Sequence, residues 1–367
     1  MLNRLKALLG KKSQGFGLEI SPERINLAQL GATDRGYKLK VLTSQDVPEG
    51  IFEEGKIVDP PQLAEIIKDL LEEHKIKSSR VATAVPMREA IIRLIPIPAE
   101  LSDQELRDIV LNQEAGLYLP YPREEVDLDF QKLGYFEDED GIEKVQVLLV
   151  ATRKEVTDTY LDILEQVGLQ VDVLEINSFA LIRTLREKLR QFGSLEAVVL
   201  VDLEFDSTEL AIIVDGIPQF NRTVPIGTFQ LHAAFAQAMN LPPSRDIDQL
   251  LEAVTVPTAK GTINDTTPLN QGIVALQRVL GELADEIRRS IDFYLSQSDT
   301  GVEVVSVLLA GPGAGLSQLD DFFEERLGLT TTQADPIEAL ALELDEEIPE
   351  AYRPGLGTVL GLGLRQS

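Results

Sequence analysis

Two acids frame the chemistry that this chain could do. Glu19 closes an apolar run over residues 15–20, and Asp202 closes a second over 197–203, 183 residues later. A turn follows each, then two more apolar runs: 25–30 and 37–42 in the first case, Thr208–Val214 and Ile217–Val224 in the second. Runs of this length bounded by turn residues predict strands. Asp215-Gly216 is a hairpin signal, because a type I′ turn needs positive φ at both central residues. A carboxylate at the end of the first strand, once per half, is the plan of a duplicated nucleotide clamp; two chance hairpins would give the same layout. Two further segments could carry function. Gly311, Gly313 and Gly315 lie between the apolar run 302–309 and the amphipathic run 316–327, where missing side chains let another backbone or a ligand come close. Tyr118-Leu119-Pro120-Tyr121-Pro122 is a rigid turn with aromatics, structural or binding on its own evidence.

Other chemistries are excluded by composition. Cysteine is absent, which removes thiol nucleophiles, disulfides and thiolate metal sites. His74 and His232 are the two histidines, in unrelated contexts, and both read as surface or helix residues, so a histidine zinc site or triad is not expected. A net charge of −27 opposes nucleic-acid binding, which needs Lys and Arg against phosphates, and disfavours broad contact with anionic lipid. Residues 1–12 run the other way, with Arg4, Lys6, Lys11 and Lys12, no acid, and Leu2, Leu5 and Leu9 on one helical face. That pattern fits a tail for a membrane surface or a partner, and equally a frayed terminus. The longest apolar runs, 145–151 and 197–201, are too short to span a bilayer.

The elements that must position these residues follow from periodicity and length. At 367 residues the chain exceeds what one core supports, so two domains are expected. Residues 61–74 and 274–295 carry apolar side chains at helical spacing. Between 86 and 152 lies a different unit: a strand over 90–97, a helix from a Ser102/Glu105 capping box towards Leu117, then a hairpin of 126–136 and 142–151 about the acidic loop 137–141. The expected organisation is a basic tail (1–13), a first domain (14–85 and 153–192), an inserted α+β subdomain (86–152) and a second domain (193–367). Residues 255–272 read as an exposed loop.

The inserted unit resembles the PilM proteins, which belong with the cell-division protein FtsA in the actin-like superfamily. The resembling residues are Ile95-Pro96-Ile97-Pro98, Leu101-Ser102, Tyr118 to Pro122, Glu125 to Gln131 and Asn177-Ser178-Phe179-Ala180-Leu181; Pro225-Ile226-Gly227, Glu286 to Tyr294 and Ala310 to Ala314 continue it. It runs from about residue 14 to residue 365 and is thinnest between 230 and 275. The resemblance implies an actin-like ATPase fold: an α/β protein of two duplicated ribonuclease-H-like domains, with a small α+β subdomain inserted in the first. It implies a scaffold for type IV pilus assembly at the cytoplasmic face of the inner membrane, in systems for twitching motility and natural competence. The implied partner is the short cytoplasmic N-terminal peptide of a PilN-like inner-membrane protein, with other platform proteins or motor ATPases as further partners. Tyr118, Pro120, Tyr121 and Pro122 are the candidate peptide contacts.

The resemblance also places a nucleotide site, and the sequence departs from it there. Glu19 and Asp202 would hold Mg²⁺ through oxygen ligands; Ser21, Ser207 and Thr208 would meet phosphate; Gly311 and Gly313 would lie against the nucleoside; Glu175 stands where the family carries an acid that orients water. The usual first loop, Asp-Ile-Gly-Ser, is here Glu19-Ile20-Ser21-Pro22, and proline removes an N–H. The usual second loop, Asp-Ile-Gly-Ala-Ser, is here Asp202-Leu203-Glu204-Phe205-Asp206. Each extra carboxylate at 4 Å from a phosphate charge costs about 4 kcal/mol at surface dielectric, before screening by salt and Mg²⁺. ATP binding is therefore expected to be weak or absent and turnover negligible. The competing readings are an active actin-like ATPase and an FtsA-like division filament.

Overall fold

In the computed structural model the described residues are 14–34, 36–242, 247–258, 267–297 and 301–366. The tail read from residues 1–12, and residues 259–266 of the loop read at 255–272, lie outside them. The chain opens with β1 (Phe16–Ile20), β2 (Arg24–Thr33) and β3 (Gly36–Asp46), a meander of antiparallel pairs. The short hairpin β4 (Phe52–Glu53) and β5 (Lys56–Ile57) leads into the helix Pro60–Glu73. Asp59 caps that helix through the Gln62 N–H, and it buries Leu63, Ile67 and Leu70. β6 (Arg80–Val85) then returns parallel to β1.

The chain divides into two compact units, one of them residues 85–163. That unit holds β7 (Ala90–Pro98), β8 (Val126–Glu137) and β9 (Glu143–Arg153), a sheet in the order β7-β9-β8. Ser102 caps its helix in a complete capping box with Glu105, the arrangement its spacing predicts. The helical stretch continues to Tyr118 through one π-type turn at Val110–Glu114, and covers Ile95, Ile97, Val145, Val147 and Leu149 on one sheet face. The compact unit extends past residue 152 because the next helix, Lys154–Gln166, begins tied to β8: the Thr157 hydroxyl donates to Asp127.

β10 (Gln170–Ile176) completes the first five-stranded sheet, in the order β3-β2-β1-β6-β10. The second sheet is built from β11 (Glu196–Leu203), β12 (Thr208–Val214), β13 (Ile217–Val224), β14 (Glu303–Ala310) and β15 (Thr330–Gln333), in the order β13-β12-β11-β14-β15. Both sheets place the meander and the two later strands alike, so the duplication read from the layout is present in the topology. The helix expected over 274–295 spans Pro268–Gln297 and buries Leu276, Leu280, Leu283 and Ile287. The expected loop therefore ends earlier than residue 272, since proline suits a first helical turn.

The helix Gly357–Leu364, at the end of the expected second domain, packs its Val359 and Leu360 with Ala28 and Leu30 of β2 as well as with Ile337 and Leu342. Its small residues allow this: a Cβ added at Gly17 of β1 would lie 2.4 Å from the Gly363 nitrogen.

Candidate functional site

The register of the two meanders brings the paired acids to equivalent places. Glu19 on β1 stands opposite Asn26 on β2, and Asp202 on β11 stands opposite Glu209 on β12. Asn26 donates to Glu19 at 3.0 Å, and Asn177 donates to Glu209 at 2.8 Å. Glu19, Asp202, Glu204 and Glu209 are close enough that their charges act on one another. Burial pushes the Glu19 carboxyl up to about 7, against a pull downward from Asn26. Asp202 is raised well above the usual aspartate range by burial and then by the Glu209 and Glu19 charges. Glu204 is raised by burial and then by Asp202, Glu19 and Glu209. One oxygen of Asp202, Oδ2, is buried with no hydrogen-bond partner. A cluster of this kind holds protons at neutral pH that isolated carboxyls would have lost.

The first turn spends its donors on itself. The Ser21 N–H donates to the Arg24 carbonyl at 2.9 Å, the Ser21 hydroxyl donates to the same oxygen at 2.9 Å, and the Arg24 N–H donates to Ser21 Oγ at 3.1 Å. Pro22 has no N–H. The second turn is tied to the following helix Thr228–Ala238: the Thr228 N–H donates to the Glu204 carbonyl and the Phe229 N–H to the Phe205 carbonyl, both at 2.9 Å. The Ser207 hydroxyl donates to Asp206 at 3.2 Å.

Two of the expected site residues are committed elsewhere. Thr208 is fully buried and its hydroxyl donates to the Ile226 carbonyl at 2.6 Å, so that hydroxyl is engaged within the protein. Glu175 accepts both guanidinium nitrogens of Arg183, at 2.6 and 2.7 Å, and a further bond from Arg365 at 3.2 Å. Charge-assisted bonds from two arginines are among the stronger ones a carboxylate can accept. His74 ends the first helix against Thr43, and His232 is buried on the helix Thr228–Ala238.

The glycine turn has an internal reason for its composition. Gly311 sits at φ 85 and ψ 167, backbone that is nearly confined to glycine. A Cβ there would lie 2.6 Å from Asp202 Oδ1 and 2.6 Å from the Leu203 carbonyl. Gly313 is buried against Leu203 and Thr228. Gly311→Ala is expected to destabilise the fold by about 3 kcal/mol or more, read as a lower midpoint in a urea melt; an unchanged midpoint would show that the turn relaxes freely.

Around these residues lies a cleft of ≈ 280 Å³, at the small end for ligand pockets. Its wall includes Glu19, Ser21, Glu204, Asp248, Pro312 and Tyr352. Arg24 also lines it and pairs with Asp248 at 2.6 Å. The sequence reading missed Glu209, Asn26, Arg24 and Asp248. Glu209 had a usable signal, being an acid inside the otherwise apolar run Thr208–Val214; Arg24 and Asp248 had none, because only the fold brings positions 224 apart together.

The aromatic turn divides. Tyr118 packs against the core of the unit 85–163, whereas Pro120, Tyr121 and Pro122 are exposed. The Tyr121 ring lies 5.7 Å beneath the Arg153 guanidinium, and the neighbouring Leu117 is 75% exposed. Among the described residues no helix is long and apolar enough to cross a membrane, and no group of three or more His, Asp or Glu residues is placed to hold a metal ion.

The fold and the chain both match known proteins. A chain of a solved PilM-PilN type IV pilus biogenesis complex is similar with a TM-score of 0.79 and 27% identity, over 97% of this chain and 99% of that one. The ethanolamine utilization protein EutJ from Carboxydothermus hydrogenoformans has a TM-score of 0.55 at 14% identity, over 99% and 96% of the two chains. MreB 5 of Spiroplasma citri bound to AMPPNP has a TM-score of 0.51 at 10% identity, over 90% and 94%. The last two likenesses are of fold alone, and the fold is actin-like. The family described as type IV pilus assembly protein PilM matches residues 17–367, and the chain belongs to it.

Proposed function

We propose that this chain is a scaffold that takes the short cytoplasmic N-terminal peptide of a PilN-like inner-membrane protein, and that its cleft does not turn over ATP. The likeness to the PilM-PilN complex across 97% of the chain carries the first part. Through such a partner a chain whose described residues include no membrane-spanning helix is held at the cytoplasmic face of the inner membrane. The unit 85–163 is the recognition element of this reading. Leu117, Pro120, Tyr121 and Pro122 supply exposed apolar contacts, and the exposed acids Glu100, Asp103, Glu124 and Glu125 favour a peptide with Lys or Arg beside its apolar anchors.

The second part rests on the chemistry of the cleft. Glu19 and Asp202 offer hard oxygen donors suited to Mg²⁺, so a cation alone fits them. A triphosphate does not. The first turn keeps its Ser21 and Arg24 donors for itself, and Glu204 stands in the cleft wall. Mg·ATP titration is expected to give a dissociation constant far weaker than cellular ATP, with phosphate release equal to a protein-free blank. The combined substitutions Pro22→Ser, Glu204→Gly and Asp206→Ser should tighten binding. Micromolar affinity in the unaltered protein would favour the ATPase reading and overturn this one.

A further inference from the structure

We propose that Arg24 and Asp248 form a latch that holds the two duplicated halves closed on the cleft. The pair joins parts of the chain that the two sheets build separately. Arg24 opens β2, directly after the turn that replaces the first phosphate loop. Asp248 lies on the helix Ile247–Ala253, whose Ile247, Leu250 and Leu251 are buried in the core of the second half. The guanidinium Nη2 meets Asp248 Oδ2 at 2.6 Å, and the two side chains are 23% and 32% exposed.

Position and anchoring distinguish this contact from an ordinary surface pair. Both partners line the cleft, beside Glu19, Glu204 and Tyr352. Each is fixed by rigid surroundings: the backbone N–H of Arg24 is bonded to Ser21, and the Asp248 helix is held by its apolar face. With both side chains more than half buried, solvent screens the pair less than it does a fully exposed one. A second acid, Asp46, stands 3.6 Å from Arg24 Nε but is 85% exposed, so it adds little. Tyr352, which also lines the cleft, bonds Glu252 of the same helix at 3.4 Å. The ion pair thus ties β2 of the first sheet to a helix packed in the core of the second half. The latch does not depend on whether the cleft ever takes nucleotide.

The test is a double-mutant cycle read by hydrogen exchange. Asp248→Asn, Arg24→Gln and the two together are made in the full chain, and backbone exchange is followed over residues 20–26 and 247–253. Each single substitution is expected to speed exchange in both segments about tenfold, and the double should exceed the larger single very little. The charge swap Arg24→Asp with Asp248→Arg should return exchange towards that of the parent. Unchanged exchange in the singles, or effects that simply add in the double, overturn the latch. Should a single variant melt globally, the swap decides: recovered protection supports the pair, and failure to recover overturns it.

Discussion

Glu19→Gln is expected to make the protein more stable at pH 8 than its parent, and to leave stability near pH 4.5 nearly unchanged. Burial pushes the Glu19 carboxyl from the ordinary 4.5 up to about 7. The folded state therefore keeps a proton that the unfolded chain releases. Stability from this group is complete below about pH 4.5 and is lost as pH rises through about 7. Glutamine keeps the shape and the bond from Asn26 without the charge. The shift corresponds to about 3 kcal/mol at most, reduced because the side chain still sees some water. Asp202 and Glu204 are raised for the same reasons and act in the same direction. Groups held low by partners, such as Asp335, which against its burial accepts the Glu338 N–H and then Arg353, act oppositely, so the informative quantity is variant minus parent at each pH. A difference that stays flat from pH 4.5 to 8 would mean that Glu19 is charged throughout.

Much of the fold was legible because its signals are local. The strands Thr208–Val214 and Ile217–Val224 follow from apolar runs and one Asp-Gly turn, and the capping box at Ser102 from a three-residue spacing. The duplication was legible because each half repeats an acid, a turn and two strands. What the sequence could not disclose was commitment. Nothing local to Thr208 records that Ile226 takes its hydroxyl, and nothing local to Glu175 records its bonds from Arg183 and Arg365. Tyr118 and Tyr121 read as one aromatic pair, yet one packs against a core and the other faces outward. The helix Gly357–Leu364 reads as part of the second half, because nothing local records its close fit to Gly17.

The second large effect concerns the partner peptide. Tyr118→Ala would confound a binding test, since removing a core aromatic loosens the unit itself. Tyr121 and Leu117 are the cleaner positions, both exposed and outside the core that Tyr118 packs against, with Tyr121 touching the Arg153 guanidinium. Exposed aromatic and aliphatic anchors on a turn stiffened by Pro120 and Pro122 can cover a peptide at low entropic cost. Losing both anchors should weaken binding about tenfold or more, or about 1.4 kcal/mol, with the thermal midpoint held. Raising salt should slow association, because the exposed acids Glu100, Asp103, Glu124 and Glu125 attract a basic peptide.

Titration of the N-terminal peptide of the PilN-like partner against the parent chain and against Leu117→Ala/Tyr121→Ala, with crosslinks mapped in both, tests the scaffold reading most directly. The account predicts saturable binding to the parent, crosslinks within residues 85–163, and at least tenfold weaker binding to the folded variant. Equal affinity for both proteins, with crosslinks confined to residues 193–367, would contradict it.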